Sequence, residues 1–213
     1  MKQIILFIFL VCTCKHAYAQ QYPLIGQYMF NKLFYNPAFA GTNESMNATV
    51  FYRHQWAGFS GAPKTFLFNI DAPIQNQKAG IGLNLMNDSR GVTNQTDMYL
   101  NYAYRIPVAN ETTLSMGIKG GASYFRSGLT NLNPEKDEQI FDENITSALL
   151  PKVGFGLYLY NPTFYAGIST PDLVTYDPNK IFASSNGKTF SNRKNYLLTA
   201  GYNLYVNELI TLT

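Results

Sequence analysis

The side chains best equipped for chemistry in this sequence are two cysteines, Cys12 and Cys14, and two histidines, His16 and His54. A thiolate nucleophile or a Ser-His hydrolase would have to be built from them. His54 has no serine or aspartate at a suggestive spacing, so the signature of a membrane phospholipase is missing. The acidic run Glu135, Asp137, Glu138, Asp142 and Glu143 offers the hard oxygen ligands that calcium takes. It lacks the ordered D-x-D-x-[DN]-G spacing and Lys136 interrupts it, so a solvated loop is the simpler reading. Gly80 with Gly82, and Gly117 through Gly121, lie inside alternating stretches with no helix after them. They make no phosphate loop and instead suit closely packed positions on an inner wall. The Asn-x-Ser/Thr sequons at Asn47 and Asn144 read as composition. No catalytic, cofactor-binding or metal-binding residue is assigned, and no cofactor is expected.

The N-terminus removes most of these groups. Lys2 supplies a short basic region, Ile4 to Val11 an apolar run, and Ala17-Tyr18-Ala19 a small-x-small cleavage site before Gln20. That is the layout of a secretory signal peptide over residues 1–19, with an apolar run too short to cross a bilayer as a helix. Lipidation would need a small residue before Cys12 or Cys14, where Val11 and Thr13 stand. Both cysteines and His16 leave with the signal, so disulfides and thiolate chemistry are excluded from the mature chain. Loss of Lys2 and Lys15 lowers the formal charge from +3 to +1, which gives no footprint for nucleic acid.

The elements that position the remaining residues are strands. Thr96 to Ile106 sets Met98, Leu100, Tyr102, Tyr104 and Ile106 against Asp97, Tyr99, Asn101, Ala103 and Arg105. The same period of two runs through Met46–Trp56, Lys64–Ala72, Gly80–Asn87, Thr113–Phe125, Pro151–Tyr160, Phe164–Ser169 and Tyr196–Tyr205. Several runs reach the 9–11 residues that a tilted transmembrane strand needs. The polar face carries Arg53, Asp71, Asp97, Arg105, Lys119 and glycines. A secreted β-sandwich would alternate in the same way. The connections separate the two: those at Pro73–Ala79, Pro107–Thr112, Asn161–Thr163 and around Asn207 are short. Those at Ala57–Pro63, Asp88–Gln95, Arg126–Leu150 and Thr170–Asn195 are longer, which is the asymmetry of outer-membrane barrels. The expected fold is therefore all-β, an antiparallel transmembrane outer-membrane barrel over residues 46–213, after a pre-strand segment over residues 20–45. Leu209 to Thr213 begins another alternating strand and ends inside it, so eight to nine strands of a longer barrel are expected, with the C-terminal strands missing.

Two groups of residues remain as candidate binding elements. Gln27, Tyr28, Phe30, Asn31, Asn36 and Pro37 belong to the aromatic pre-strand segment, which could plug the barrel, tether a periplasmic partner, or simply pack its lower end. Arg53, Gln55, Trp56, Gly61 and Pro63 could form a loop or lumen recognition element, although Arg53 could equally neutralise an inward carboxylate such as Asp97.

The stretches Gln27-Tyr28-Met29-Phe30-Asn31 and Asn36-Pro37-Ala38-Phe39-Ala40-Gly41 resemble the start of the PorP/SprF family of Bacteroidota. The resemblance continues through Gln55-Trp56 and Gly61-Ala62-Pro63-Lys64-Thr65, Tyr102-Ala103-Tyr104-Arg105, and Phe164 to Pro171. It implies an outer-membrane component of the type IX secretion and gliding machinery, with a barrel of about fourteen strands. The implied role is export or surface anchoring of a client protein, such as a large adhesin, by binding and without catalysis. The implied partners are other type IX components, that client and the lipid bilayer. An outer-membrane channel for a small or hydrophobic solute is the alternative.

Overall fold

A computed structural model describes residues 28–128, 145–146, 149–173, 195–207 and 210–212. The expected signal peptide, Gln27 and the acidic run at residues 135–143 lie outside the described residues. Eight antiparallel strands curl into a half-barrel, consistent with a β-barrel of the outer-membrane type. They are β1 (Asn47–His54), β2 (Lys64–Ile74), β3 (Ala79–Arg90), β4 (Thr93–Ala109) and β5 (Thr112–Ser127), then, after a two-residue strand β6 (Ile145–Thr146), β7 (Leu150–Tyr160), β8 (Phe164–Thr170) and β9 (Leu197–Tyr202). The eight long strands pair in sequence order, β5 with β7, and β6 adds only a short extension along β5. A separate hairpin, β10 (Leu204–Asn207) with β11 (Ile210–Leu212), follows.

The alternation read from the sequence becomes two faces. In β4, Asp97, Tyr99, Asn101, Ala103 and Arg105 are buried on the inner side, while Met98, Leu100, Tyr102, Tyr104 and Ile106 are exposed on the other. Outward-facing Val50, Ile81, Ile118, Val153, Ile168 and Leu198 are likewise exposed. A water-soluble sheet would bury these apolar rows and wet the polar ones; the reversal fits strands with lipid outside and a polar interior. Among the described residues no helix is long and apolar enough to cross a membrane.

The strands run further than the polar residues at their ends suggest. Where a connection was expected at Asp88–Gln95, β3 and β4 continue to a turn of Gly91 and Val92, with Gly91 in the left-handed region. Pro107 to Ala109 also stay in β4, and the turn is Asn110-Glu111. The reason is local: Asn87 Nδ2 donates to Asn94 Oδ1 (3.1 Å) and Thr96 Oγ1 (2.9 Å), so side-chain amides bridge the strands instead of opening a loop. The connections between β5 and β7 and between β8 and β9 are long, as expected, but the one between β3 and β4 is tight. The run Tyr196–Tyr205 breaks at Asn203, whose N–H donates to Thr163 O (2.6 Å) and whose side chain donates to Pro162 O (2.8 Å).

Candidate functional site

The pre-strand segment lies on the inner face of the wall. It contains a turn of 3-10 helix at Tyr28–Phe30, the short helix α1 (Lys32–Tyr35) and a second 3-10 turn at Pro37–Phe39. Each residue of Asn36-Pro37-Ala38 has a local task. Asn36 is extended at the N-cap, its Oδ1 accepting from Ala38 N (2.9 Å), and Pro37 supplies a preset φ where no N–H is needed. The same Asn36 side chain uses its amide to donate to Leu157 O on β7 (3.0 Å). Gly41 ends the segment in the left-handed region, where a Cβ would meet Ala72 O at 2.8 Å.

The wall is shaped to receive this backbone. A Cβ on Gly80, Gly117 or Gly156 would collide with Ala40, Ala38 or Asn36 respectively. The inner-wall packing expected of Gly80 and Gly117 is thus observed, with the segment as the packing partner. Between the glycines stand donors and acceptors. Ser115 Oγ donates to Ala38 O (2.6 Å), Ser169 Oγ to Tyr35 O (2.8 Å), and Asp71 Oδ2 accepts from Gly41 N (2.8 Å). Arg105 donates to Gln77 O through Nε (2.5 Å) and also to the carbonyl of Gly41, fastening the segment to the β2–β3 turn. Buried carbonyls and amides that a short helical segment leaves unmet are thereby satisfied by side chains of β2, β4, β5 and β8.

Two small apolar clusters complete the docking. Phe34 packs with Leu67 and Met86, flanked by Tyr35 and Phe51, and Leu33 packs with Ala40 and Ala103, flanked by Phe39. A ladder of amides runs beside them: Asn101 donates to Asn84, Asn84 to Asn69 (2.7 Å), and Asn69 to Asn31 of the segment (3.2 Å). The Lys32 ammonium stands over the rings of Tyr165 (4.3 Å) and Phe39 (5.4 Å). Of the sequence candidates, Asn31, Asn36 and Pro37 are buried in this interface, whereas Tyr28 and Phe30 are exposed at its start.

Residues 17–213 match the family described as type IX secretion system membrane protein PorP/SprF. The chain belongs to that family. No curated protein and no solved structure gives a match. In this PorP/SprF protein the second candidate group lies at the β1–β2 loop, one inward position beyond Phe51, which flanks the Phe34 cluster. Arg53 is half-buried with the inward set of β1; Gln55 N donates to Pro63 O (3.0 Å), closing the β1–β2 loop. Gly61 takes positive φ, and its carbonyl accepts from Gly91 N (2.9 Å), tying the loop to the β3–β4 turn. Trp56 is 71% exposed in the β1–β2 loop, where its left-handed φ ends the alternation of β1. The structure therefore separates Arg53, which faces inward, from Trp56, which does not.

The inner face above the segment is ionic, and sequence reading did not find this arrangement. Lys152 on β7 and Asp172, just past β8, are both buried and lie 3.5 Å apart. Lys119 on β5 is buried beside them, its ammonium 4.2 Å from the ring of Tyr99, and Asp97 accepts from Gln95 Nε2 (3.1 and 3.0 Å). Leu173 N donates to Val153 O (2.7 Å), which holds Asp172 against β7. Lys119 was recognisable as an inward charge, but Lys152 and Asp172 were not, because Asp172 falls beyond the last alternating residue of its strand. Among the described residues no group of His, Cys, Asp and Glu is arranged to hold a metal ion.

Proposed function

We propose that this type IX secretion membrane protein resides in the outer membrane and acts by binding, as a plugged scaffold that supports export or surface anchoring of a partner protein. Family membership supplies the secretion system. The observation that carries the mode of action is the pre-strand segment clamped across the inner wall by Ser115, Asp71, Arg105 and Ser169. Glycine-lined, hydrogen-bonded docking of this kind suits a fixed plug, and a wall so filled suits a scaffold better than a solute channel. Gln27, Tyr28, Phe30, Asn31, Asn36 and Pro37 belong to the plug in this reading, with Tyr28 and Phe30 offered to a partner at its exposed start. Arg53 faces the interior, and the loop with Gln55, Trp56, Gly61 and Pro63 is the rim.

The test is genetic and electrical. Deleting the gene is expected to remove specific proteins from the cell surface while leaving them in the cell, with the protein itself recovered in the outer-membrane fraction. Full-length protein in planar bilayers is expected to pass little current. An unchanged surface proteome after deletion would overturn the export role, and steady open conductance would favour the channel.

A further inference from the structure

The outward face of the wall is layered, and the layers end in a charged one. Strand register aligns Val50, Phe68, Leu85, Met98 and Ala122 in one apolar row across β1 to β5. The next outward row toward the Gly91–Val92 turn is Tyr52, Phe66, Asn87, Thr96 and Tyr124, aromatic at three of five places. The row after that is His54, Lys64, Ser89, Asn94 and Arg126. His54, Lys64 and Arg126 are exposed, and the two between are half-buried. The acid nearest this row, Asp88, is turned inward, where it accepts from Thr65 Oγ1 (2.6 Å) and pairs with Arg90 (2.5 Å). No acid interrupts the row itself.

Above the first three members lies a depression of about 600 Å³, lined by His54, Lys64, Ser60, Ser89 and Phe59 and floored by Gly61 and Gly91. The Gly91 N to Gly61 O bond holds its two walls together. The Lys64 ammonium, the His54 imidazole and two serine hydroxyls in one concave place are donors that a phosphate group takes.

We infer that this row seats the phosphates of lipid headgroups at the outer rim of the barrel. A lipid is favoured over a free anion by what lies beneath. An aromatic row and then apolar rows continue straight down the same face, as an interfacial girdle over a hydrocarbon belt requires. The row also spans four inter-strand spacings, roughly 19 Å, so Lys64 and Arg126 meet the phosphates of neighbouring lipids packed side by side. Lys64 and Arg126 would raise their charged ends to the headgroups while their stems cover the aromatics. The inference rests on the membrane-barrel reading above.

The sequence holds a single tryptophan, Trp56, exposed in the loop two residues beyond His54, so its fluorescence reports on this rim. Full-length protein would be inserted into phosphatidylcholine vesicles doped with phosphatidic acid or diacylglycerol, each brominated at the end of the acyl chain nearest the glycerol, where the quencher lies just under the headgroup. Phosphatidic acid is expected to quench Trp56 several-fold more than diacylglycerol at equal mole fraction. The Lys64→Gln/Arg126→Gln variant is expected to bring the two to equality. Equal quenching in the unmodified protein would overturn the inference without any variant. Loss of the difference on adding inorganic phosphate would assign the row to free anions instead. Protein left in solution, quenched by neither lipid, would sink the membrane-barrel reading itself.

Discussion

Gly117→Ala should loosen the plug while leaving the wall standing. The added Cβ would lie well inside 3.0 Å of Ala38 N, Ala38 Cα and Pro37 C, all backbone atoms that no rotamer change can remove. The segment has to retreat by roughly 1 Å or more to restore ordinary contact. That retreat stretches the Ser115–Ala38 bond (2.6 Å) and the Asn36–Leu157 bond (3.0 Å). Overpacking costs about 1–3 kcal/mol and each lost hydrogen bond about 1 kcal/mol, giving about 3–5 kcal/mol against docking. The undocked population then rises by about a hundredfold or more. Lys32 lies in the docked segment, so trypsin cleavage there measures undocking. Faster cleavage at Lys32, with heat-modifiable gel migration unchanged, is the expected result. Gly120→Ala is the control, because Gly120 faces outward with nothing within 4 Å of a Cβ. Cleavage of Gly117→Ala at the rate of the unmodified protein would refute the claim that these glycines exist to seat the plug.

Phe34→Ala empties the centre of its cluster with Leu67 and Met86 and should cost about 3–5 kcal/mol, read as a lower urea midpoint for protection of the segment. Asp172→Asn leaves Lys152 and Lys119 buried without their carboxylate and should cost about 3–5 kcal/mol in unfolding experiments. Lys152→Met combined with Asp172→Leu should recover part of that loss, because Lys152 is removed with its partner while Lys119 still lacks Asp172. Leu100→Lys sets a charge on the outward face, 63% exposed in the unmodified protein, and should weaken refolding into vesicles by about 2–4 kcal/mol if that face meets lipid. A neutral outcome in a vesicle refolding titration would mean that Leu100 faces water.

What the sequence revealed follows the range of each signal. Strand alternation is local, so the sidedness of Asp97 to Ile106 could be read without knowing any partner. Gly80 and Gly117 were recognisable as packing positions, but their partners Ala40 and Ala38 lie 40 and 79 residues away, beyond any periodicity. Strand ends failed for a physical reason. Asn87, Asn94 and Thr96 carry turn-forming side chains, yet here they hydrogen-bond across the ladder and keep the strands going. That error hid more than a boundary. With Asp88–Gln95 read as a loop, Ser89 and Asn94 lose their register, and the row from His54 to Arg126 cannot be seen. The ionic group of Lys119, Lys152 and Asp172 was hidden in the same way, because it is assembled by pairing between strands.

The plug comes before every strand in the chain, yet its hydrogen bonds reach wall residues as far along as Ser169. A sheet that grows one hairpin at a time would therefore find, at nearly each addition, a second partner already waiting inside the curve. Asp71 and Asn69 engage it first, then Arg105, Ser115, the Leu157 carbonyl and finally Ser169. The leading segment thus serves as a mandrel, setting how tightly the wall bends as it is laid down, and a chain synthesised without it should build the same strands around the wrong radius.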